Sequence, residues 1–184
     1  MKLAKNDRAL TSQEKATAFS VFLDTMNYDF VRISDGLGGG DRPFTFPGAP
    51  LSAGGIVSKI AGFGGGIGAV LDLIIYINFG TAGYINGLSD AKTFIHEMTH
   101  AWQYMHGIHV AADSISNQIA YGDEAYAYDK PAGLAWDLYN VEQQAEIVAD
   151  WFDAAHSAGA TPAKNIAHPN YKYIRDNIRA NKPR

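Results

Sequence analysis

The sequence contains no cysteine. This absence excludes disulfide bonds, cysteine-ligated zinc knuckles and thiol catalysis. Any metal ligands must therefore come from histidine, aspartate and glutamate. An excess of basic residues is also lacking, because 15 Lys and Arg stand against 19 Asp and Glu, with a net charge of -4. This charge balance lacks the excess of basic residues that is typical of nucleic-acid-binding proteins, so no nucleic-acid partner is predicted.

Long apolar runs are lacking as well. The most apolar stretch, "IAGFGGGIGAVL" at residues 60–71, is too short to span a bilayer and is interrupted by glycine. No stable membrane insertion is therefore predicted. The first fifteen residues, "MKLAKNDRALTSQEK", have basic side chains but no apolar segment of the kind that a signal peptide needs. We therefore predict no signal peptide.

Glycine and proline are concentrated in residues 35–70, where they predict one long loop. The glycines of segment 54–68 do not have the spacing of a dinucleotide-binding fingerprint, and they precede a strand instead of following it. No Gly-Lys-Ser/Thr follows them, so a P-loop is excluded too. We expect the loop to be either a lid over a cleft or a plain surface insert.

A length of 184 residues with 47% hydrophobic residues predicts a single globular domain over residues 1–184. The predicted class is α+β, with a small mixed or antiparallel sheet against a helix and a mainly helical C-terminal half. Thr11 and Glu14 form a capping-box pattern for the first helix, whose expected buried residues are Ala16, Phe19, Phe22 and Leu23. The predicted strands are 28–34, 71–79 and a short one at 125–129, and the predicted helices are 12–26, 90–106 and 138–156.

The segment "TFIHEMTHAWQ" at residues 93–103 contains an HExxH motif in the middle of a predicted helix. His96 and His100 are separated by about 400° of rotation, so both point the same way and can bind one zinc ion. Glu97 lies about 100° from His96, where it can take a proton from a water that the zinc activates. The motif therefore predicts a catalytic zinc site with Glu97 as its general base.

The third ligand has two candidate positions. His106 falls at the eleventh position of the pattern HExxHxxGxxH, but Gln103 stands where that pattern needs glycine, and His106 is then rotated about 240° away from His100. A later helix offers Glu142 and Glu146, each followed by alanine at i+3 and by an acid at i+4. The glutamate positions are therefore favoured over His106.

Helical rotation distinguishes the two glutamates. The later helix has one apolar stripe, formed by Leu138, Val141, Ala145, Val148, Ala149 and Phe152. Glu142 lies at the edge of this stripe, and Glu146 lies about 40° further out. We therefore favour Glu142 as the ligand, with Glu146 or Asp150 holding a ligand histidine through its free N–H. Glu146 as ligand, with Asp150 behind it, remains the alternative.

These motifs resemble those of the gluzincin zinc metallopeptidases. The segments "LTSQEKATAFSVFLDTMNYDFVRI", "FIHEMTHAWQYMHG" and "YNVEQQAEIVADWF" also resemble uncharacterised bacterial HExxH proteins, some of them described as type VI secretion spike-related. The resemblance implies a zincin-like fold, zinc ligands His96, His100 and Glu142, and Glu97 as base. It further implies a secretion-apparatus or immunity partner, and a location in the bacterial cytoplasm or export by a signal-independent secretion system.

The predicted function is a zinc-dependent hydrolase acting on a peptide or protein substrate, and the resemblance adds the expectation of a bacterial secretion-associated effector. Strand 71–79 is expected to bind an extended substrate, in a cleft between that strand and helix 90–106. The side chain that stabilises the oxyanion is left open among Tyr104, His109, Tyr126 and Tyr128. The alternative is a zinc-stabilised binding module without turnover, with His106 or His109 as a fourth ligand.

Overall fold

The structure, a computed structural model, describes residues 2–48, 74–108, 110 and 122–183. The glycine-rich segment 54–68 and His109 lie outside the described residues. The lid and the roles suggested for His109 therefore stay predictions.

Four short strands form one mixed sheet. They are β1 (Asp7–Ala9), β2 (Val31–Ser34), β3 (Phe44–Pro47) and β4 (Ile75–Asn78). The strand order is β1-β2-β4-β3, with β2 and β4 parallel and the two outer pairs antiparallel. The expectation of a small mixed sheet is confirmed. The predicted strand 28–34 begins three residues later than expected, because Tyr28–Phe30 forms a 3₁₀ turn.

The strand β3 lies inside the region predicted to be one long loop, so that prediction was wrong at this point. The strand forms because its backbone pairs with β4, which is distant in sequence. The pairing also contradicts the expectation that strand 71–79 binds the substrate. Both edges of β4 are occupied, by β2 and β3, so β4 has no free backbone groups for a substrate. Among the described strands, β3 and β1 are the outer strands of the sheet.

The helices are α1 (Ser12–Phe22), α2 (Gly80–Ile85), α3 (Ala91–Met105), α4 (Val141–His156) and α5 (Tyr171–Tyr173), which continues into a π-helical turn at Ile174–Ile178. From α3 onward the described residues form helices and turns but no strand, as expected for the α+β class. The predicted strand 125–129 was wrong, because Gly122–Tyr126 is a 3₁₀ turn. In the described residues, no helix has the length and apolar character needed to cross a membrane.

The capping box that begins α1 is present, with Thr11 and Glu14 bonded reciprocally. The expected buried face is wrong in part: Phe22 is buried as expected, but Ala16 is exposed and Phe19 is 50% exposed. The buried residues of α1 are Glu14, Ala18, Val21 and Phe22. Glu14 belongs to this buried face because Arg8 and Gly87, both outside the helix, donate hydrogen bonds to its carboxylate.

The buried Glu14 joins three separate segments. Arg8 donates to its two carboxylate oxygens at 2.7 and 2.8 Å, and the backbone N–H groups of Thr11 and Gly87 donate at 2.7 and 2.9 Å. A Cβ at Gly87 would lie 2.5 Å from Glu14 Oε1, so this approach requires glycine. Burial alone would raise the pKa of Glu14, but these donors outweigh it and hold the pKa below its usual value.

We expect Glu14→Gln to lower the free energy of unfolding by about 3 kcal/mol, because Arg8 then loses its buried partner. The folded pKa of Glu14 is below its unfolded value of about 4.3, so the contribution is complete above that pH and is lost as the pH falls through the folded pKa. Urea unfolding at several pH values measures the difference. Asp29→Asn, which removes the exposed ion pair of Asp29 with Lys15, is the control with a small expected effect. Equal losses in both variants would contradict the prediction.

The helix α3 lies between the sheet and α4, and its inner residues are the centre of the core. Phe94, Ile95, Met98 and Trp102 on α3 are fully buried, as are Val148 and Trp151 on α4. One member of the predicted apolar stripe does not belong to this core. Leu138 is 67% exposed, because α4 begins at Val141 and Leu138 ends a separate 3₁₀ turn.

Candidate metal centre

The motif helix α3 has the boundaries that the sequence predicted. The Asp90 side chain accepts a hydrogen bond from the Thr93 N–H at 3.0 Å, and Gly107 follows the helix with a φ of 76°. His96 and His100 are 8% and 5% exposed, so both imidazoles lie inside the protein. The apolar residues beside them pack into the core and fix the direction of the motif.

The helix α4 brings its first turn against the two histidines. Asn140 and Gln143 form a capping box, so Glu142 occupies the first turn with its side chain 3% exposed. The side chains of Asn140 and Gln143 also hold the preceding segment in place. Asn140 Nδ2 donates to the Ala125 carbonyl at 3.1 Å, and Gln143 Nε2 donates to the Ala127 carbonyl at 2.6 Å.

Three side-chain atoms form an equilateral triangle. His96 Nε2, His100 Nε2 and Glu142 Oε2 are each 3.2 Å from the other two. Ligands about 2.05 Å from a tetrahedral zinc ion lie about 3.3 Å apart, so the triangle fits one face of that coordination. Among the described residues, these three form the group of side chains that could hold a metal ion.

The second nitrogen of His100 is held by a chain of buried amides. His100 Nδ1–H donates to Gln103 Oε1 at 2.8 Å, while Gln103 Nε2 donates to the Val141 carbonyl at 3.2 Å and to Gln144 Oε1 at 2.9 Å. The amide nitrogen of Gln103 is thus committed elsewhere, which leaves its oxygen for His100. His100 Nε2 then carries a lone pair and can act as a ligand.

The second nitrogen of His96 faces an acidic cluster. His96 Nδ1 lies 3.4 Å from Glu146 Oε2, the position expected of an acid that holds a ligand histidine. Asp150 lies one step further out. Lys92 Nζ joins the two acids, at 2.7 Å from Glu146 and 2.8 Å from Asp150. Asp150 also accepts from Tyr128 and lies 2.6 Å from Lys130. Outward from the ligand His96, the contacts therefore run to Glu146, then to Lys92 and then to Asp150.

The charges around His96 favour a cation at this point. Burial alone would lower the pKa of His96, but Glu142, Glu146 and the charge of Glu97 raise the pKa to about 10. Burial would also raise the pKa of Glu142, yet the two histidines hold that pKa far below its usual range. A buried site that stabilises positive charge against desolvation has the electrostatics that a divalent cation needs.

A cleft of about 300 Å³ opens beside the triangle. One wall is α3 with Glu97, and the facing wall is β3 with the segment before it, so the cleft lies at β3 and not at β4 as expected. Thr45 Oγ1 donates to Glu97 Oε2 at 2.6 Å across this gap. Nothing in the sequence around Thr45 indicates this contact, because its partner is 52 residues away.

Of the candidates for oxyanion stabilisation, Tyr126 lines this cleft. Its ring centroid is 5.9 Å from that of His96, and its hydroxyl is hydrogen-bonded to Arg42, a residue that sequence reasoning did not single out. Burial and the charge of Glu142 raise the pKa of Tyr126 despite Arg42, so the phenol keeps its proton. Tyr128 is bonded to Asp150 instead, and Tyr104 is not among the residues that line the cleft.

His106 does not reach the triangle. Its Nδ1 bonds to the Trp102 carbonyl at 2.6 Å, and its Nε2 contacts Asn181. The ring also lies against the indole of Trp102, with 4.4 Å between the ring centroids. The rotation that argued against His106 as a ligand therefore agrees with where the structure places it.

Two comparisons find a similar protein, and no family model matches the chain. The type VI secretion system spike protein VgrG2b of Pseudomonas aeruginosa is 31% identical over 165 residues, a match that covers 88% of this chain and 14% of the spike protein. The solved effector domain of P. aeruginosa VgrG2b is 30% identical, with a TM-score of 0.54. That match covers 89% of this chain and 84% of the effector domain.

Proposed function

The chain belongs to the family of the VgrG2b effector domain, and from this premise we propose that it is a secretion-associated effector with zinc-dependent peptidase activity. The triangle of His96, His100 and Glu142 beside an open cleft is the observation that carries the proposal. The proposed role in secretion rests on the family, and the proposed peptidase activity rests on the residues of the site. Because the chain spans 14% of the spike protein, no activity of that whole protein is included.

The proposed fold type is zincin-like, of the gluzincin kind. Two features support it: a mixed sheet whose outer antiparallel strand β3 runs beside the motif helix, and a glutamate ligand from a later helix. The small side chain of Ala145, fully buried one turn after Glu142, lets α3 and α4 approach closely. This close approach brings the carboxylate of Glu142 within reach of both imidazoles.

Zinc is the metal that we propose for the triangle. Two imidazoles and one carboxylate are a donor set found in catalytic zinc sites, and a bound zinc ion lowers the pKa of a water toward about 7 and polarises a carbonyl group. His96 and His100 would hold it through Nε2, and Glu142 through Oε2. Glu146 and Gln103 keep the imidazoles oriented through their other nitrogens.

Glu97 is the proposed general base. It lines the cleft beside the triangle and is 5% exposed, so its carboxylate acts in a largely dry environment. It would accept a proton from the attacking water and then pass that proton to the leaving amine. Tyr126, protonated and bonded to Arg42, is the proposed donor to the developing oxyanion.

The cleft between β3 and α3 is the proposed binding site for an extended peptide. The Gly48 N–H donates to the Ile74 carbonyl at 2.7 Å, and hydrogen-bonded pairs alternate along an antiparallel ladder. Phe44 and Phe46 therefore bond to β4, whereas the N–H and C=O of Thr45 point away from β4. A substrate would lie along β3 in this cleft, directly beside the triangle.

A zinc-stabilised binding module without turnover is the alternative function. It requires a fourth protein ligand that closes the site. His106 is turned away, and in the described ranges the ligand group has three members. A site to which the described residues contribute three ligands suits a catalytic role better than a closed structural one, and His109 lies outside those residues. A partner in the secretion apparatus and an immunity protein that covers the cleft belong to the favoured proposal.

Removal of the metal is the direct test of the proposed chemistry. We expect the purified protein to cleave an unfolded protein, such as labelled casein, and to lose this activity when dialysed against a chelator. Stoichiometric zinc should restore cleavage, because the ligands lie preformed at the triangle. Circular dichroism before and after dialysis monitors whether the fold persists. Cleavage that continues in metal-free protein would refute the mechanism.

A further inference from the structure

The general base has a hydrogen-bond partner on the opposite wall of the cleft. Thr45 Oγ1 donates to Glu97 Oε2 at 2.6 Å, and the same hydroxyl lies 3.2 Å from the Glu97 backbone carbonyl. Thr45 is 2% exposed and Glu97 is 5% exposed, so water does not compete strongly for this bond. A hydroxyl has one proton, and the shorter contact to the charged carboxylate takes it.

This hydrogen bond gives the two carboxylate oxygens of Glu97 different roles. Oε2 is occupied by Thr45, and among the described residues no other side chain hydrogen-bonds to the Glu97 carboxylate. Oε1 is therefore the oxygen available to take a proton. A glutamate side chain has three rotatable bonds, and its base function requires one orientation. One strong bond from a fixed strand restricts those rotations.

We propose that Thr45 is a positioning residue for the reaction, one that fixes the orientation of the Glu97 carboxylate and leaves Oε1 to take the proton. This inference rests on the proposed function of Glu97 as base. Thr45 need not touch the reacting atoms with its side chain, since it acts through Glu97. The pairing of β3 with β4 fixes the backbone of Thr45, and the hydroxyl transfers that position to the base.

The same residue connects substrate binding with the base. Thr45 lines the cleft in which a peptide would lie, while its side chain reaches to Glu97. A peptide that contacts β3 would restrain the residue that orients the base. Peptides long enough to contact β3 should therefore be turned over faster than short ones that reach only the triangle.

Removal of the hydroxyl in zinc-loaded protein tests the proposal. We expect Thr45→Val to lower kcat on labelled casein by about ten- to a hundredfold, since one hydrogen bond to a charged group is lost, with KM and zinc content unchanged. Thr45→Ser keeps the hydroxyl and should restore most of kcat. Thr99→Val is the matched control, because its buried hydroxyl donates to the Ile95 carbonyl of its own helix. A wild-type kcat in Thr45→Val, or equal losses in the valine and serine variants, would overturn the proposal.

A second measurement does not depend on turnover. The carboxyl carbon of Glu97 is observed by NMR in protein labelled with ¹³C at the glutamate carboxyl, and it is assigned by its absence in Glu97→Gln. Its resonance should move in Thr45→Val and return in Thr45→Ser; Thr45→Ala replaces the valine variant if that fails to fold. An identical resonance in all variants would refute the contact. A shifted resonance in a protein without peptidase activity would instead retain the contact and reject the proposed function.

Discussion

Glu142→Ala is expected to empty the site of zinc at ordinary concentrations. The substitution removes one of the three vertices of the ligand triangle, each 3.2 Å from the others, and leaves two histidines that bind a metal weakly. Glu146→Ala should keep the metal, with an affinity lower by about 10- to 100-fold, because Glu146 holds His96 without being a ligand. Asp150→Ala should have a smaller effect, since Asp150 reaches Glu146 only through Lys92.

Metal content and affinity measured on these three variants distinguish the two possible ligand assignments. Elemental analysis of the purified proteins gives the stoichiometry, and competition with a chromogenic chelator gives the affinity. The expected order of zinc loss is Glu142, then Glu146, then Asp150. Stoichiometric zinc in Glu142→Ala together with an empty Glu146→Ala would show that the second acid pair holds the metal.

Glu97→Gln should retain zinc fully and lose turnover. The amide keeps the size of the side chain and removes no ligand, but it cannot accept a proton. Loss of a general base lowers turnover by about 10²- to 10⁴-fold. The comparison of zinc content with casein cleavage in one preparation separates this effect from metal loss. Full activity in Glu97→Gln would remove Glu97 from the mechanism.

The same variant tests the effector proposal in cells. Expression of the wild-type chain in bacteria, with and without an export signal, should slow growth in at least one compartment, and Glu97→Gln should not. Matched expression levels, measured by immunoblot, make the comparison valid. Equal growth of the two strains in both compartments would count against a toxic effector, while leaving the peptidase chemistry to the tests in vitro.

The local features of the site could be predicted from sequence because they depend on residues close together. Asp90 and Gly107 mark the ends of the motif helix, and the spacing of His96 and His100 puts both on one side of it. The rotation of Glu142 relative to the apolar stripe also follows from helical geometry. Two imidazoles and one carboxylate do lie together in the structure.

Features that depend on distant partners could not be predicted. β3 exists because Phe44–Pro47 pairs with β4, although glycine and proline around it favour a loop. On α1 the polar side chain of Glu14 is buried through Arg8 and Gly87, and hydrophobic periodicity alone does not indicate this burial. The contact between Thr45 and Glu97 belongs to the same class, since nothing local to either residue indicates it.

The C-terminal segment contacts the end of α1 through Arg179. Its guanidinium donates to the carbonyls of Ser20 and Val21, which lie 159 and 158 residues earlier in the chain, and it packs over the ring of Trp151. Contacts of such sequence separation form slowly, because loop closure must precede any energetic gain. The parallel pairing of β2 with β4 also joins residues that are far apart in the sequence. A ribosome must therefore have synthesised Arg179 before α1 gains its last partner, which makes the final packing of this domain a late event in its biogenesis.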